Sequence, residues 1–190
     1  LYDVGQKYFY CPNQFWKHKN HSTLLSAVKM LKDSGLNITV VMTGGEYDFR
    51  HPRYFGELKS YAAQSDLQEN VQFLGVIPYG HVAKLVSNSI AVINPSFFEG
   101  WSTTVEEVKS LGKKIVLSNL EVHREQAPDS AYFFSPRDTE ALAKLLRELW
   151  NANEGGPDYD LEEKASQAFP LRSMAFGELF AAYIKTTSTK

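Results

Sequence analysis

A chain of 190 residues, 43% apolar and 22% charged, holds enough hydrophobic material for one ordinary globular domain with a full core. A net charge of −2 supplies no basic field for nucleic acid, a single cysteine excludes an internal disulfide and fits a reducing compartment, and no apolar run is long enough to cross a bilayer. No secretory leader is read, and the opening at Leu1, inside an extended-looking stretch, is taken as the start of a segment cut from a longer protein.

In chain order, residues 7–11 (Lys-Tyr-Phe-Tyr-Cys) read as a buried strand ended by Pro12 and Asn13. A loop rich in cations and aromatics follows, Gln14 to His21. Leu24, Leu25, Val28 and Leu31 then mark a helical stripe that Gly35 closes. Residues 38–43 form a second strand, closed by Gly44 and Gly45. A polar loop leads to a helix over 53–65, a third strand over 71–75 and a short helix over 79–88. Residues 89–93 are the next buried strand, which Pro95 stops because it cannot donate to a ladder. After a helix ending at Gly112 come strands over 114–118 and 131–134. An amphipathic helix over 139–151 carries Leu142, Leu145, Leu146 and Leu149 on one side. Beyond a polar Gly-Gly-Pro loop (152–160), two helices are expected over 161–168 and 173–185, with a frayed tail over 186–190. Strands alternating with helices predict an α/β fold. The expected form is a Rossmann-like, doubly wound parallel sheet of about six strands, covered on both faces, with a C-terminal helical appendage (152–190).

In such a sheet the loops at the C-terminal strand ends share one edge, and there the chain places Lys19, Gly44/Gly45, Gly75 and Glu99. The densest stretch runs Asn94-Pro-Ser-Phe-Phe-Glu-Gly-Trp-Ser-Thr-Thr-Val-Glu-Glu-Val-Lys-Ser-Leu-Gly112. Ser102, Thr103 and Thr104 are cap-type residues, with Thr103/Glu106 and Thr104/Glu107 spaced as capping boxes. A glycine loop entering a helix N-terminus from a strand end offers free N–H groups and the positive end of the helix dipole to an anion. Glu99 and Glu107 frame that turn, and carboxylates accept paired hydrogen bonds from vicinal hydroxyls. Phosphate flanked by hydroxyls describes a nucleotide sugar.

The seven residues between Glu99 and Glu107, within Pro95-Ser96-x-x-Glu99-Gly100 and followed by Gly112-Lys-Lys-Ile-Val-Leu-Ser118, resemble the E-x7-E motif of retaining GT-B glycosyltransferases. The likeness is to the large family 4 (glycosyl transferases group 1), over about Tyr8 to Trp150. The resemblance implies the C-terminal, donor-binding domain of such an enzyme, with an acceptor domain outside this chain. It implies that Lys19 grips the donor phosphates, beside Gln14 where the family usually has arginine. Glu107 would accept both ribose hydroxyls, and Glu99 would lie nearer the transferred sugar. The N–H groups of Trp101, Ser102, Thr103 and Thr104, entered from Gly100, would face the distal phosphate. Gly75, Val76 and Ile77 would meet the base, and Gly44 would let the backbone approach the ligand. Glu125 or Asn119 would border the donor.

Other readings are blander. Glu106 reads as solvated helix surface, Phe97 and Phe98 as core, and His18 and His21 as helix-start or surface residues. Five scattered histidines and one cysteine give no metal cluster, and no cofactor or divalent ion is called for. The expected partners are a nucleotide-diphosphate sugar and, through the absent domain, an acceptor glycan or lipid. The expected location is the cytoplasm, with peripheral contact at the inner membrane face left open. The expected activity is hexosyl transfer by the whole protein and none by this segment alone. Two alternatives stay within reach, a GT-B-like sugar-nucleotide epimerase or phosphorylase-like enzyme and a non-catalytic nucleotide-sugar-binding or assembly domain. A dinucleotide-binding oxidoreductase is disfavoured, because Pro12-Asn13-Gln14 stands where its glycine motif belongs.

Overall fold

The computed structural model describes residues 2–187. Its centre is a six-stranded sheet in the order β3-β2-β1-β4-β5-β6, with every neighbouring pair parallel. The strands are β1 (Phe9–Cys11), β2 (Val40–Met42), β3 (Val71–Phe73), β4 (Val92–Asn94), β5 (Ile115–Ser118) and β6 (Ala131–Phe134). The helices are α1 (His21–Asp33), α2 (Tyr54–Gln64), α3 (Tyr79–Asn88), α4 (Thr103–Leu111), α5 (Glu121–Gln126), α6 (Thr139–Ala152) and α7 (Tyr159–Thr187). A single 3-10 turn, Lys17–Lys19, precedes α1. The order reverses between β1 and β4, the switch point at whose C-terminal edge sheets of this kind take their ligands.

Two cores lie on opposite faces, and the strand alternation sorts them. Phe9, Cys11, Val40, Met42, Ile93 and Val116 face α1, α2 and α6, meeting Leu24, Leu25, Leu31, Leu58, Leu142 and Leu146. Tyr8, Tyr10, Val41, Val92, Ile115 and Leu117 face the other way, against Leu85 and Val86 of α3 and Val105 and Val108 of α4. This is the period of two expected of a sheet buried on both sides. Burying side chains of this size stabilises by roughly 1.5–3 kcal/mol each.

The expected pair of C-terminal helices is one helix. α7 runs through Pro170 without a break. Proline removes one N–H and crowds the carbonyl four residues back, yet Ser166 and Pro170 are both exposed, so water can take the freed carbonyl. The first part of α7 packs on α4, burying Ala165. From Phe169 on, its large side chains are exposed, including Phe176, Leu179, Phe180 and Tyr183. Of the tail expected to fray, 186 and 187 continue the helix and 188–190 lie outside the described residues. No helix among the described residues is long and apolar enough to cross a membrane.

Candidate functional site

Asn94 ends β4, and its side chain is the hub of the loops at the C-terminal edge. Its Nδ2 donates to Ser102 Oγ at 2.9 Å and, more weakly, to Glu99 Oε1 at 3.4 Å. Its Oδ1 accepts from Asn13 Nδ2 at 3.1 Å and lies 2.7 Å from Ser96 Oγ. Asn13, Asn94, Ser96 and Ser102 are all buried, so these bonds form a satisfied polar floor joining the loops after β1 and β4.

On that floor Lys19 and Glu99 meet. The Lys19 Nζ lies 2.7 and 2.9 Å from the two Glu99 carboxylate oxygens, with side chains only 15% and 7% exposed. Ser96 Oγ donates to Oε1 at 2.7 Å. Burial by itself would raise the Glu99 pKa, but the hydrogen bonds from Lys19 and Ser96 outweigh it and hold the carboxyl below its ordinary value. The approach is enforced from behind. Asn20, in the left-handed region at φ 58°, donates its Nδ2 to Pro95 O and Pro136 O, both at 2.9 Å, while Phe97 N–H donates to His18 O at 2.8 Å. The lysine turn and the glutamate loop are thereby clipped together.

α4 starts on the same edge. Its cap is Ser102, whose Oγ accepts from Val105 N–H. The two expected capping boxes do not form, because the cap falls one residue before Thr103. Glu106 is not free surface either: it accepts from Gln126 Nε2 at 3.0 Å and pairs with Lys109 at 3.3 Å. Gln126, at the end of α5, is 1% exposed and clasps Ser102 by its main chain. Its Oε1 accepts from Ser102 N–H at 2.9 Å and its Nε2 donates to Ser102 C=O at 3.1 Å. The Ser102 N–H, expected to face a phosphate, is therefore occupied. Among the described residues, the N–H groups of Gly100, Trp101, Thr103 and Thr104 have no protein partner, so the turn still presents four donors.

Glu107 lies one turn into α4, half-exposed, with Tyr79 Oη 3.4 Å from its Oε1. The glutamate's charge raises the Tyr79 pKa. Tyr79 opens α3 just after Gly75, Val76 and Ile77, so the residues expected to meet a base border Glu107 through Tyr79. The remaining expectations scatter. Gln14 turns its Oε1 onto Gly45 N–H. Gly44, at φ 147°, sits where an added Cβ would strike the main chain of Asn13, so contact between two loops accounts for that glycine without a ligand. Asn119 accepts from Arg124, and Glu125 is exposed.

Phe97 and Phe98 are not core. Phe98 is 69% exposed and Phe97 lies under the Arg137 guanidinium at 5.2 Å. The polar floor takes the inward positions through Asn94 and Ser96 and turns both rings outward. His18 is partly exposed at the 3-10 turn, whereas His21 is fully buried, with neither ring nitrogen hydrogen-bonded; burial lowers its pKa to about 3. Of the residues that sequence patterns passed over, Asn13 and Asn94 carried a signal, each being polar at the end of an apolar run. Gln126 carried none.

The family model described as "Glycosyl transferases group 1" matches residues 2–168. The O-antigen chain mannosyltransferase RfbU of Salmonella typhimurium is 22% identical over 144 residues, which are 76% of this chain and 38% of that protein. Among solved structures, sucrose-phosphate synthase (tll1590) from Thermosynechococcus elongatus superposes with a TM-score of 0.72 at 16% identity, over 94% of this chain and 46% of the other. Anabaena Alr3699/HepE, solved in complex with UDP and glucose, gives 0.74 at 17% identity, over 96% and 49%. The chain thus spans about half the length of these structures or less.

Proposed function

The chain belongs to the glycosyl transferases group 1 family, and from that premise we propose that it is the donor-binding half of a retaining enzyme that transfers a sugar from a nucleotide-diphosphate sugar. The observation that carries the reading is the convergence at one sheet edge of the Lys19–Glu99 pair, the four unpartnered N–H groups from Gly100 to Thr104, and Glu107. A diphosphate laid on that turn would be held by the amides, the dipole of α4 and Lys19. Glu107 would take the ribose hydroxyls and Glu99 a sugar hydroxyl. HepE, a structural neighbour solved with UDP and glucose, supports a ligand of this class.

In the reaction, the bond between the anomeric carbon and the diphosphate oxygen breaks. The acceptor oxygen bonds to that carbon on the same face and passes its proton to the departing diphosphate oxygen. The electron pair leaves with the nucleoside diphosphate, so the step needs positive charge at the leaving group more than a strong base. Lys19 and the amide turn supply it. The acceptor and the remaining groups around the reacting carbon come from outside this chain, in a glycan, polysaccharide or lipopolysaccharide pathway.

Gln14 favours a second reading, a non-catalytic binding domain. Tied to Gly45, it brings no cation to the phosphates where the family usually has arginine. Titrating the chain with UDP, GDP and ADP, followed by melting temperature, tests the first reading. One nucleotide is expected to stabilise it selectively by linkage, and Glu107→Ala to weaken that nucleotide tenfold or more. No nucleotide effect, or an unchanged affinity in the variant, rejects the site. Wild-type transfer by the whole protein that survives Glu107→Ala favours the second reading.

A further inference from the structure

A second cationic site lies beside the first, on the opposite side of the Lys17–Lys19 turn. Lys17, Arg50, His51 and Arg53 line one cleft of about 250 Å³ together with Pro52, Tyr54 and Glu57. Leaving His51 aside, three cations face the carboxylates of Glu57 and the neighbouring Asp48, a net charge of +1. Neither Lys17 nor Arg53 makes an ion pair among the described residues, and Arg50 has only Asp48, 3.9 Å from its Nε. Like charges gathered in this way repel one another unless an anion sits between them.

The walls are fixed by a buried acid. Asp48, its side chain 1% exposed, accepts from Lys17 N–H and from Arg50 N–H, both at 3.0 Å, and so pins the turn after β1 to the loop after β2. Its oxygens are committed to main-chain donors behind the cleft. α2 begins at Tyr54, and the N–H groups of Phe55 and Gly56 have no partner among the described residues. The volume suits a phosphate or diphosphate rather than a whole nucleotide. Tyr47 and Phe49, 69% and 72% exposed in the same loop, give an apolar carrier a surface to lie on.

We propose that this cleft binds the phosphate or diphosphate group of a second ligand, either the acceptor of the transfer reaction or a lipid headgroup. The acceptor assignment rests on the glycosyl-transfer reading; the anion site does not. The test is amide NMR of the 190-residue chain titrated with inorganic pyrophosphate, as wild type, Lys19→Ala and Arg50→Ala/Arg53→Ala. Amides at 17, 50, 51 and 53–56 are expected to shift in the wild type and in Lys19→Ala, with affinity falling at least tenfold in the double variant. Should that variant not fold, Lys17→Ala takes its place.

No shift at those amides, shifts that persist in the double variant, or equal shifts with sodium chloride at matched ionic strength overturn the proposal. A UDP titration that leaves amides 100–104 unmoved defeats the donor reading alone. Sedimentation with phosphatidylglycerol vesicles, lost in the double variant, assigns the phosphate to a headgroup. Pyrophosphate binding without vesicle binding assigns it to a soluble or acceptor-borne group.

Discussion

Replacing Gln126 by alanine should be strongly destabilising. The wild-type amide is 1% exposed, and it satisfies the N–H and C=O of Ser102 at 2.9 and 3.1 Å and the Glu106 carboxylate at 3.0 Å. Glu106 is half-exposed and can turn to water. Ser102 is buried, and its carbonyl keeps only the long Glu106 N–H contact at 3.4 Å, while its N–H is left with nothing. An unsatisfied buried donor costs about 1–3 kcal/mol, and the void left by the side chain adds about 1 more, giving roughly 2–4 kcal/mol. In a domain of this size that lowers the melting temperature by about 5–15 °C, measurable by calorimetry or circular dichroism.

Gln126→Glu keeps the shape and sharpens the test. A carboxylate still accepts from Ser102 N–H but faces the Ser102 carbonyl and the Glu106 carboxylate, so its protonated form is favoured in the fold. The variant's deficit relative to wild type should therefore shrink as pH falls from 8 toward 5. A melting temperature within about 2 °C of wild type for Gln126→Ala would mean that the Ser102 clasp contributes nothing, and the reasoning fails.

Three further outcomes are expected. Lys19→Ala should weaken nucleoside diphosphate binding by about 1.5–3 kcal/mol, roughly 10- to 150-fold by isothermal titration, and an unchanged affinity removes Lys19 from the site. The fold should be acid-sensitive. Burial holds the His21 pKa at about 3, so the unfolded chain binds the extra proton and stability is lost as pH falls below about 6.5, by about 1.4 kcal/mol per pH unit at most from this group. His21→Met, which removes two nitrogens that bond to nothing, should flatten that limb between pH 6.5 and 4 in urea titrations; an unaltered slope refutes the assignment. Glu99, held low, acts in the same direction, its contribution being lost as pH falls through its folded value. Gly112→Ala should detach the start of α7: the glycine lies at φ 66°, and a Cβ there would strike the Leu161 carbonyl and the Glu162 main chain. The expected loss is more than about 1–2 kcal/mol, read as a fall in melting temperature, and a neutral substitution contradicts the packing.

The sheet was legible because its strands are short, doubly buried apolar runs, and nothing else in the chain competes for that pattern. α3 and β6 fall where their residues predict, and Gly112 closes α4 in the left-handed conformation expected of it. The errors are instructive. Two helices were expected, on either side of Pro170, but an exposed helix tolerates at that proline a lost bond that a buried one would not. Three cap-type residues in a row hid which one caps, and Ser102 wins because Asn94 and Gln126 hold it in place. Phe97 and Phe98 looked like core by type alone, without regard to the buried polar pair, Asn94 and Ser96, that displaces them. Lys19 and Glu99 were each singled out, yet their contact was not, because 80 residues separate them and no local pattern encodes a loop-to-loop clip.

That contact has a thermodynamic corollary. Lys19 already has a counterion of its own, so an incoming anion does not meet a bare ammonium; it must draw Nζ away from a carboxylate that holds it through two oxygens. Attraction on arrival is muted, and departure is helped, since the abandoned Glu99 recaptures the lysine as the anion withdraws. Under the proposed donor reading, a competitor of this kind would favour release of a spent nucleoside diphosphate over its tight retention, and neutralising Glu99 would lengthen the ligand's stay.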